Sequence, residues 1–138
     1  MSYPTFAELE AGLAAARLSP KEAGTLEMIV RRPGVGEREV LGEGQLDVRT
    51  GLVGDTWFRR GVSGNQTDEP HPDTQVNVMN ARVIAMIAGS RERWPLAGDQ
   101  LYVDLDLSAE NVPPGTRLAV GDAVLEVTAE PHTGCAKF

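Results

Sequence analysis

Gln100-Leu101-Tyr102-Val103-Asp104-Leu105-Asp106-Leu107 carries the cleanest alternation of apolar and polar side chains in the chain. Leucine or valine stands at every second position from 101 to 107, with tyrosine or aspartate between them. Successive side chains of a β-strand point to opposite faces of the sheet, so this period of two predicts a strand with one apolar and one polar face. We expect the fold to be built around a sheet that contains this segment.

Further strand-like segments lie on both sides of it. Thr25–Arg32 alternates, with Leu26, Met28 and Val30 on one face, and a turn at 33–36 predicts an antiparallel partner at 37–41. Other predicted strands are 45–48, 75–79, 117–120 and 123–128, the last two joined by the hairpin signal Gly121-Asp122. Six or seven mostly antiparallel strands indicate a mainly β (α+β) fold, a small β-barrel or sandwich with two or three peripheral helices.

The predicted helices have recognisable start signals. Thr5 and Glu8 form a capping box that predicts a helix to about Arg17. Ser19-Pro20 predicts a second, one-turn helix that ends at Gly24. Asn80 is a suitable N-cap for a third helix over 81–88. We therefore expect a single domain, with a helical N-terminal segment at 1–24 and a barrel at 25–138.

Composition limits the function. The chain has 138 residues and a formal net charge of −7, which argues against nucleic acid or an anionic membrane surface as the main partner. Its single cysteine cannot form an intramolecular disulfide, and the sequence shows no secretory signal or long apolar stretch. These features predict a cytoplasmic protein.

The single cysteine lies in Pro131-His132-Thr133-Gly134-Cys135-Ala136-Lys137-Phe138. A nearby lysine or protonated histidine lowers the pKa of a thiol and favours the thiolate, which is both a nucleophile and a metal ligand. Free cysteines are also among the most buried residues, so a structural thiol is the alternative. The residues around Cys135 therefore do not decide between a reactive thiol and a structural one.

Two earlier segments carry candidate polar residues. Glycines flank an apolar pair in Gly51-Leu52-Val53-Gly54-Asp55, which suggests a tight backbone path that positions Asp55, although a plain turn with a capping aspartate fits as well. Residues 59–74 form the longest irregular stretch, and long loops are often functional. Its His71 and Asp73 could bind a metal or could simply be solvated.

The cysteine segment resembles the cysteine motif of the MOSC domain, the C-terminal domain of molybdenum-cofactor sulfurases. Four further segments resemble elements of that family in the same order: Gly51–Asp55, Gln75–Met79, Gly98–Val103 and Pro114–Ala123. Two features depart from the family pattern. Gln100 stands where the family usually has asparagine, and this sequence ends three residues after Cys135, whereas family members continue. We expect a barrel that is truncated at its C-terminus or completed in a homodimer.

The resemblance implies a MOSC-like β-barrel and a role in molybdenum-cofactor or sulfur chemistry. Cys135 would be the catalytic thiol, either carrying a persulfide as a sulfur carrier or ligating molybdenum, as in related amidoxime-reducing proteins. The enzyme would be a sulfur transferase or a molybdenum-dependent reductase, and pyridoxal phosphate binding is also implied. The cofactor-binding residues would be Asp55, Arg59, Arg60, Asn77, His132 and Lys137, with Arg59 or Arg60 on the phosphate of molybdopterin.

The expected partners are a small-molecule cofactor or a sulfur donor protein. The alternative function is a non-catalytic barrel module that binds a small ligand or a protein and has lost cofactor chemistry. A thiol with an ordinary pKa would be typical of that alternative.

Overall fold

The structure, a computed structural model, describes residues 3–34, 36–58 and 72–130. The described residues include helices α1 (Phe6–Ala16) and α2 (Ala81–Ala88), and 3-10 helix at Pro72–Thr74 and Arg91–Ala97. The strands are β1 (Thr25–Arg31), β2 (Glu39–Leu41), β3 (Leu46–Asp47), β4 (Gly51–Leu52), β5 (Val78–Asn80), β6 (Leu101–Asp104), β7 (Arg117–Val120) and β8 (Ala123–Glu126).

The main sheet has four strands in the order β2-β1-β6-β5. Strand β6 lies inside the sheet, antiparallel to β1 and parallel to β5. It comes from the alternating segment at 100–107 but is shorter than that pattern predicts. Tyr102 was predicted to lie on a polar face, and this prediction is wrong. Strand β6 is covered on both sides, so Tyr102 is fully buried and packs in the core.

A bulge in β1 changes the predicted face of one residue. Leu26 pairs with Val103 and Met28 pairs with Tyr102, so the register shifts between them. A β-bulge places one extra residue on its strand and reverses the alternation beyond it. Met28 therefore shares a core with Val30 as predicted, whereas Leu26 is 39% exposed and lines a cavity beside Ile29.

Strand β5 leads directly into α2. Asn80 is the last residue of β5 and the N-cap of the helix, where its side chain accepts a hydrogen bond from the Val83 N–H. The chain then returns through the 3-10 helix at Arg91–Ala97 to β6, which lies parallel to β5. Ile84 is fully buried against the sheet, and the predicted helix over 81–88 is confirmed.

Two apolar cores lie on the two sides of the sheet. The larger core contains Met28, Val30, Ala81, Ile84, Ala88, Trp94 and Tyr102. The smaller one contains Ile29, Leu52 and Leu101, with Leu41, Leu46, Val76, Val78 and Leu125 packed around it. Adjacent residues of β1 and β6 thus serve opposite cores, which makes these two strands the centre of the fold.

The predicted β-barrel is wrong. Within the described residues the fold is α+β, with one four-stranded sheet and two two-stranded sheets, β3-β4 and β7-β8, and none of them closes. The predicted hairpin through Gly121-Asp122 is present, with β7 paired to β8. The local turn signal correctly predicted the β7–β8 pair, but the closure of a barrel needs hydrogen bonds between strands distant in sequence, and no local pattern encodes these.

The N-terminal segment is helical only in its first half. The capping box of Thr5 and Glu8 is present, and α1 packs on α2, where Gly12 lies against Met86. The predicted second helix is wrong. The Ser19 hydroxyl donates to the Ala16 carbonyl at 2.6 Å and accepts from Asn80 Nδ2 at 3.0 Å, so it joins two helices instead of capping a new one.

Candidate functional site

A buried ion pair between Arg32 and Asp55 forms the centre of the candidate site. Arg32 follows the last residue of β1, and Asp55 follows a turn after β4 in which its own N–H donates to the Leu52 carbonyl at 3.0 Å. Asp55 Oδ1 accepts from Arg32 N at 2.7 Å and Nε at 3.1 Å, and Asp55 Oδ2 accepts from Arg32 Nη2 at 2.9 Å. The side chain of Asp55 is fully shielded from solvent, while that of Arg32 is 15% exposed.

Two further donors saturate the carboxylate. Asp55 Oδ2 also accepts from Trp57 N at 3.0 Å and Gln100 Nε2 at 3.4 Å. Burial alone would raise the pKa of the Asp55 carboxyl, but the hydrogen bonds and charge of Arg32 outweigh burial and hold that pKa below its ordinary value. The carboxylate is therefore ionised at neutral pH, and it fixes the backbone around itself.

Gly54 allows the turn before Asp55 to approach β1. Its φ of +89° lies in a region that residues with a Cβ rarely adopt. A Cβ at this position would also stand 2.7 Å from Nη1 of Arg31. The tight backbone path expected from the two glycines is thus present.

Gln100 connects the ion pair to β5. Its side chain is 1% exposed, and its Oε1 accepts from the Asn77 N–H at 2.9 Å while its Nε2 reaches Asp55. Its backbone N–H donates to the Asn77 carbonyl at 3.1 Å, and its carbonyl accepts from the Val30 N–H at 2.8 Å. One amide side chain therefore ties together the turn after β4, the start of β5 and the start of β6. We call Arg32, Asp55, Gln100 and the Asn77 backbone the buried polar cluster.

A cavity of about 470 Å³ lies beside Asn77. Its wall is formed by residues 73–78 on one side and by β8 with the residues after it on the other. The charged residues among its described lining are all acidic, namely Asp73, Glu126 and Glu130. This lining suits neutral or cationic groups better than a phosphate.

The structure describes two of the predicted cofactor-binding residues, Asp55 and Asn77. They meet through Gln100, although Asn77 contributes its backbone to that contact. The structure also describes Asp73, one of the two possible metal ligands, which lines the cavity beside Asn77. The predicted residues Arg59, Arg60, His132, Cys135 and Lys137, together with His71, lie outside the described residues. In the described part of the chain, no group of three or more histidine, cysteine, aspartate or glutamate residues is placed to hold a metal ion.

Sequence reasoning missed Arg32 as a member of this cluster and treated Gln100 only as a departure from a family pattern. The sequence did indicate that Asp55 would have an arginine partner if it were buried, because a buried aspartate needs a cation and arginine suits a bidentate contact. That signal does not say which of the 13 lysines and arginines is the partner.

Comparison with known proteins gives no match to this chain, whether against protein-family models, curated proteins or solved structures. Among the residues that the structure describes, no helix is both long and apolar enough to cross a membrane.

Proposed function

We propose that this protein acts through the thiol of Cys135, as a molybdenum-cofactor-related sulfur carrier or as a molybdenum-cofactor-binding component of an oxidoreductase. The observation that supports the proposal is the buried polar cluster. Three of the segments that resemble the MOSC family, 51–55, 75–79 and 98–103, are far apart in sequence and meet at the side chain of Gln100. Their contact brings three of the motif segments together around one side chain, although the sheets of the described residues do not close into the barrel that the resemblance implied.

The departure at Gln100 is compatible with this proposal. Glutamine is one methylene longer than asparagine and keeps the same donor and acceptor. Here the acceptor binds Asn77 N at 2.9 Å, and the donor is 3.4 Å from Asp55. The longer side chain thus spans two segments without leaving its amide unsatisfied, which would be costly in a buried position.

The described residues do not by themselves fit molybdenum or the phosphate of a pterin. Asp55 already accepts five N–H groups, and the cavity beside Asn77 is lined by carboxylates without a described cation. The sulfur-carrier arm of the proposal needs no step through the cofactor. Pyridoxal phosphate binding and the roles of Arg59 and Arg60 stay predictions.

Sulfur transfer to Cys135 needs only a thiolate and a persulfide donor. The thiolate attacks the terminal sulfur of the donor persulfide, a new S–S bond forms at Cys135, and the donor leaves as a thiolate. The transferred sulfur is already at the persulfide oxidation level, so the exchange needs no further oxidant. In this proposal the positive charges of Lys137 and His132 favour the attacking thiolate.

The test uses the protein purified from a host that makes molybdenum cofactor. We expect the purified protein to carry cyanide-labile sulfur, seen as an added sulfur atom in its intact mass, and Cys135→Ser to lose it. Molybdenum content, measured on the same samples, separates the sulfur-carrier arm from the metal-ligating arm. Thr133→Ser is the matched control, since it changes a neighbouring side chain and leaves the thiol in place. Equal sulfur and molybdenum in the Cys135→Ser protein would exclude both arms.

The second candidate is a non-catalytic module that binds a small ligand. The acidic cavity beside Asn77 favours it, because that lining does not suit the phosphate of a cofactor. The pH dependence of thiol alkylation distinguishes the two candidates. An inflection near the free-cysteine value of about 8.5 favours the module, and a clearly lower one favours the sulfur carrier.

A further inference from the structure

A second cavity, of about 780 Å³, lies on the side of the sheet that carries the smaller core. Its walls are the loop at 42–46 and the tip of the β7–β8 hairpin at 120–123. Pockets for small organic molecules commonly have volumes of about 300–1,000 Å³, a mostly apolar lining and a few polar groups. The size of this cavity is therefore suitable for a small ligand.

The floor of the cavity is apolar. Ile29, Leu52 and Leu101 of the smaller core form its base, and Leu46 lies beside them. Leu26 adds a partly exposed wall because the bulge in β1 turns it to this side of the sheet. Leu52 and Leu101 are already buried, so an apolar body placed here would cover mainly the exposed surface of Leu26 and of the half-buried Leu46.

The charged residues in the lining that the structure describes are all acidic. They are Glu43 in the loop and Asp122 in the hairpin turn, on two different walls of the cavity. Both are exposed, and within the described residues neither forms a hydrogen bond or an ion pair. By comparison, other carboxylates near the sheet, such as Asp55 and Glu39, are paired with arginines. Glu43 and Asp122 are thus available to a positive charge.

The loop wall contains two glycines, Gly42 and Gly44, whose surroundings differ. A Cβ on Gly44 would lie 3.1 Å from Leu52 Cδ1 and 3.2 Å from Ile29 Cγ2, so the Gly44 backbone rests closely on the apolar floor. A Cβ on Gly42 would meet no atom within 4 Å. Gly42 can therefore carry a large side chain beside the cavity without disturbing the core.

We propose that this cavity binds a small amphipathic cation, whose apolar body lies on the leucine floor and whose ammonium group pairs with Glu43 and Asp122. The inference goes beyond the proposed role of Cys135 and does not depend on it. It rests on the apolar floor together with a rim whose charged residues, among those described, are both carboxylates.

Three matched probes test the proposal: 4-phenylbutylamine, the neutral 4-phenylbutan-1-ol and the anionic 4-phenylbutyrate. Each is titrated into ¹⁵N-labelled protein and followed by amide chemical shifts. We expect the amine to cause saturable shifts centred on 42–46 and 120–123, the alcohol to bind more weakly and the anion most weakly. Glu43→Gln combined with Asp122→Asn should weaken amine binding about three- to tenfold and leave alcohol binding unchanged, as exposed ion pairs permit.

The control is Glu10→Gln combined with Glu22→Gln, which removes the same charge from exposed positions outside the cavity lining. We expect this control to bind the amine like the original protein. Gly42→Trp should abolish binding of the amine and the alcohol. Unshifted amides at 101–104 in this variant would show that its core is intact. The proposal is overturned if the anion binds as tightly as the amine, or if the shifts do not saturate or lie elsewhere in the protein. It is also overturned if the control variant weakens amine binding as much as the Glu43 and Asp122 substitutions do.

Discussion

Asp55 can be removed to measure what the buried polar cluster contributes to stability. Asp55→Ala leaves the guanidinium of Arg32 and the amide of Gln100 without their acceptor, in a site where the carboxylate was fully shielded. Breaking a buried ion pair by removing one partner costs about 3–5 kcal/mol, and we expect about 3 kcal/mol because Arg32 is partly exposed. Urea unfolding at neutral pH measures this loss.

The matched control is Glu39→Gln. Glu39 accepts from Arg31, the residue before Arg32, at 2.8 Å, but 44% of its side chain is exposed. Exposed ion pairs contribute below about 1 kcal/mol. A loss for Glu39→Gln as large as that for Asp55→Ala would show that burial of the cluster has no energetic effect.

The same variant has a defined pH dependence. The pKa of Asp55 in the folded protein lies below its ordinary value of 3.8. The stabilisation is therefore fully present above that ordinary value and is lost as pH falls through the folded pKa. The stability difference between the original protein and Asp55→Ala should consequently shrink in acid. A difference that grows in acid contradicts this assignment.

How far the site could be predicted differs from residue to residue. The spacing of Gly51, Gly54 and Asp55 indicated a turn, with the carboxylate either positioned deliberately or acting as a cap. The structure has features of both, because Asp55 binds Arg32 and also accepts from the Trp57 N–H. Arg32 and Gln100 could not be chosen as its partners, because they lie 23 and 45 residues away and reach it only when β1, β4 and β6 are assembled. Local patterns predict turns, whereas the partners of a buried charge depend on tertiary packing.

The capping residue of α2, Asn80, also makes two contacts outside the helix. Asn80 Oδ1 accepts from the Val83 N–H at 2.9 Å, and its Nδ2 donates to Ser19 Oγ at 3.0 Å and the Leu105 carbonyl at 2.8 Å. Asn80→Ala loses both the cap and these two contacts, so we expect about 2 kcal/mol of destabilisation in urea unfolding. Asn80→Asp keeps the capping acceptor and should lose about half as much.

Thr5→Ala is the comparison for this variant, because Thr5 caps α1 at an exposed position. The capping contribution alone is about 1 kcal/mol or less there. If Asn80→Asp were as damaging as Asn80→Ala, the helix cap would contribute nothing and the two donor contacts everything.

Features set by contacts between residues close in sequence were mostly predicted, whereas features set by contacts between distant strands were not. The Thr5–Glu8 capping box, the Asn80 cap and the Gly121-Asp122 turn involve residues within a few positions, and each is present as predicted. The helix start predicted at Ser19-Pro20 is the exception, because the Ser19 hydroxyl bonds to Ala16 and Asn80 instead. The faces of Leu26 and Tyr102 were mispredicted. Their positions depend on a bulge and on a second core, both of which arise only when strands pair.

At the scale of the whole molecule, the sheets should differ in stability. Strands β1 and β6 lie between two cores, whereas β7 and β8 pair only with each other in the described residues, and Val124 is 65% exposed. A two-stranded hairpin is marginally stable by itself. We expect β7–β8 amides to exchange with solvent through local opening, at free energies about 2 kcal/mol or more below those of β1 and β6.

Native-state hydrogen exchange at low denaturant concentrations measures these opening energies. The amide of Val30, which donates to the Gln100 carbonyl at 2.8 Å, serves as the internal reference for global unfolding. Equal opening energies for the hairpin and for Val30 would mean that the hairpin unfolds only with the whole molecule.

The direct junction between β5 and α2 also limits how the sequence can vary in length. Asn80 ends the strand and caps the helix, so no loop residue lies between these two elements. Most junctions tolerate an inserted residue because a loop can absorb it. Here an insertion would turn the helix by about 100° or move the strand to its opposite face, since those are the steps per residue of each element. The chain should accept changes of length at its surface turns and not at this junction.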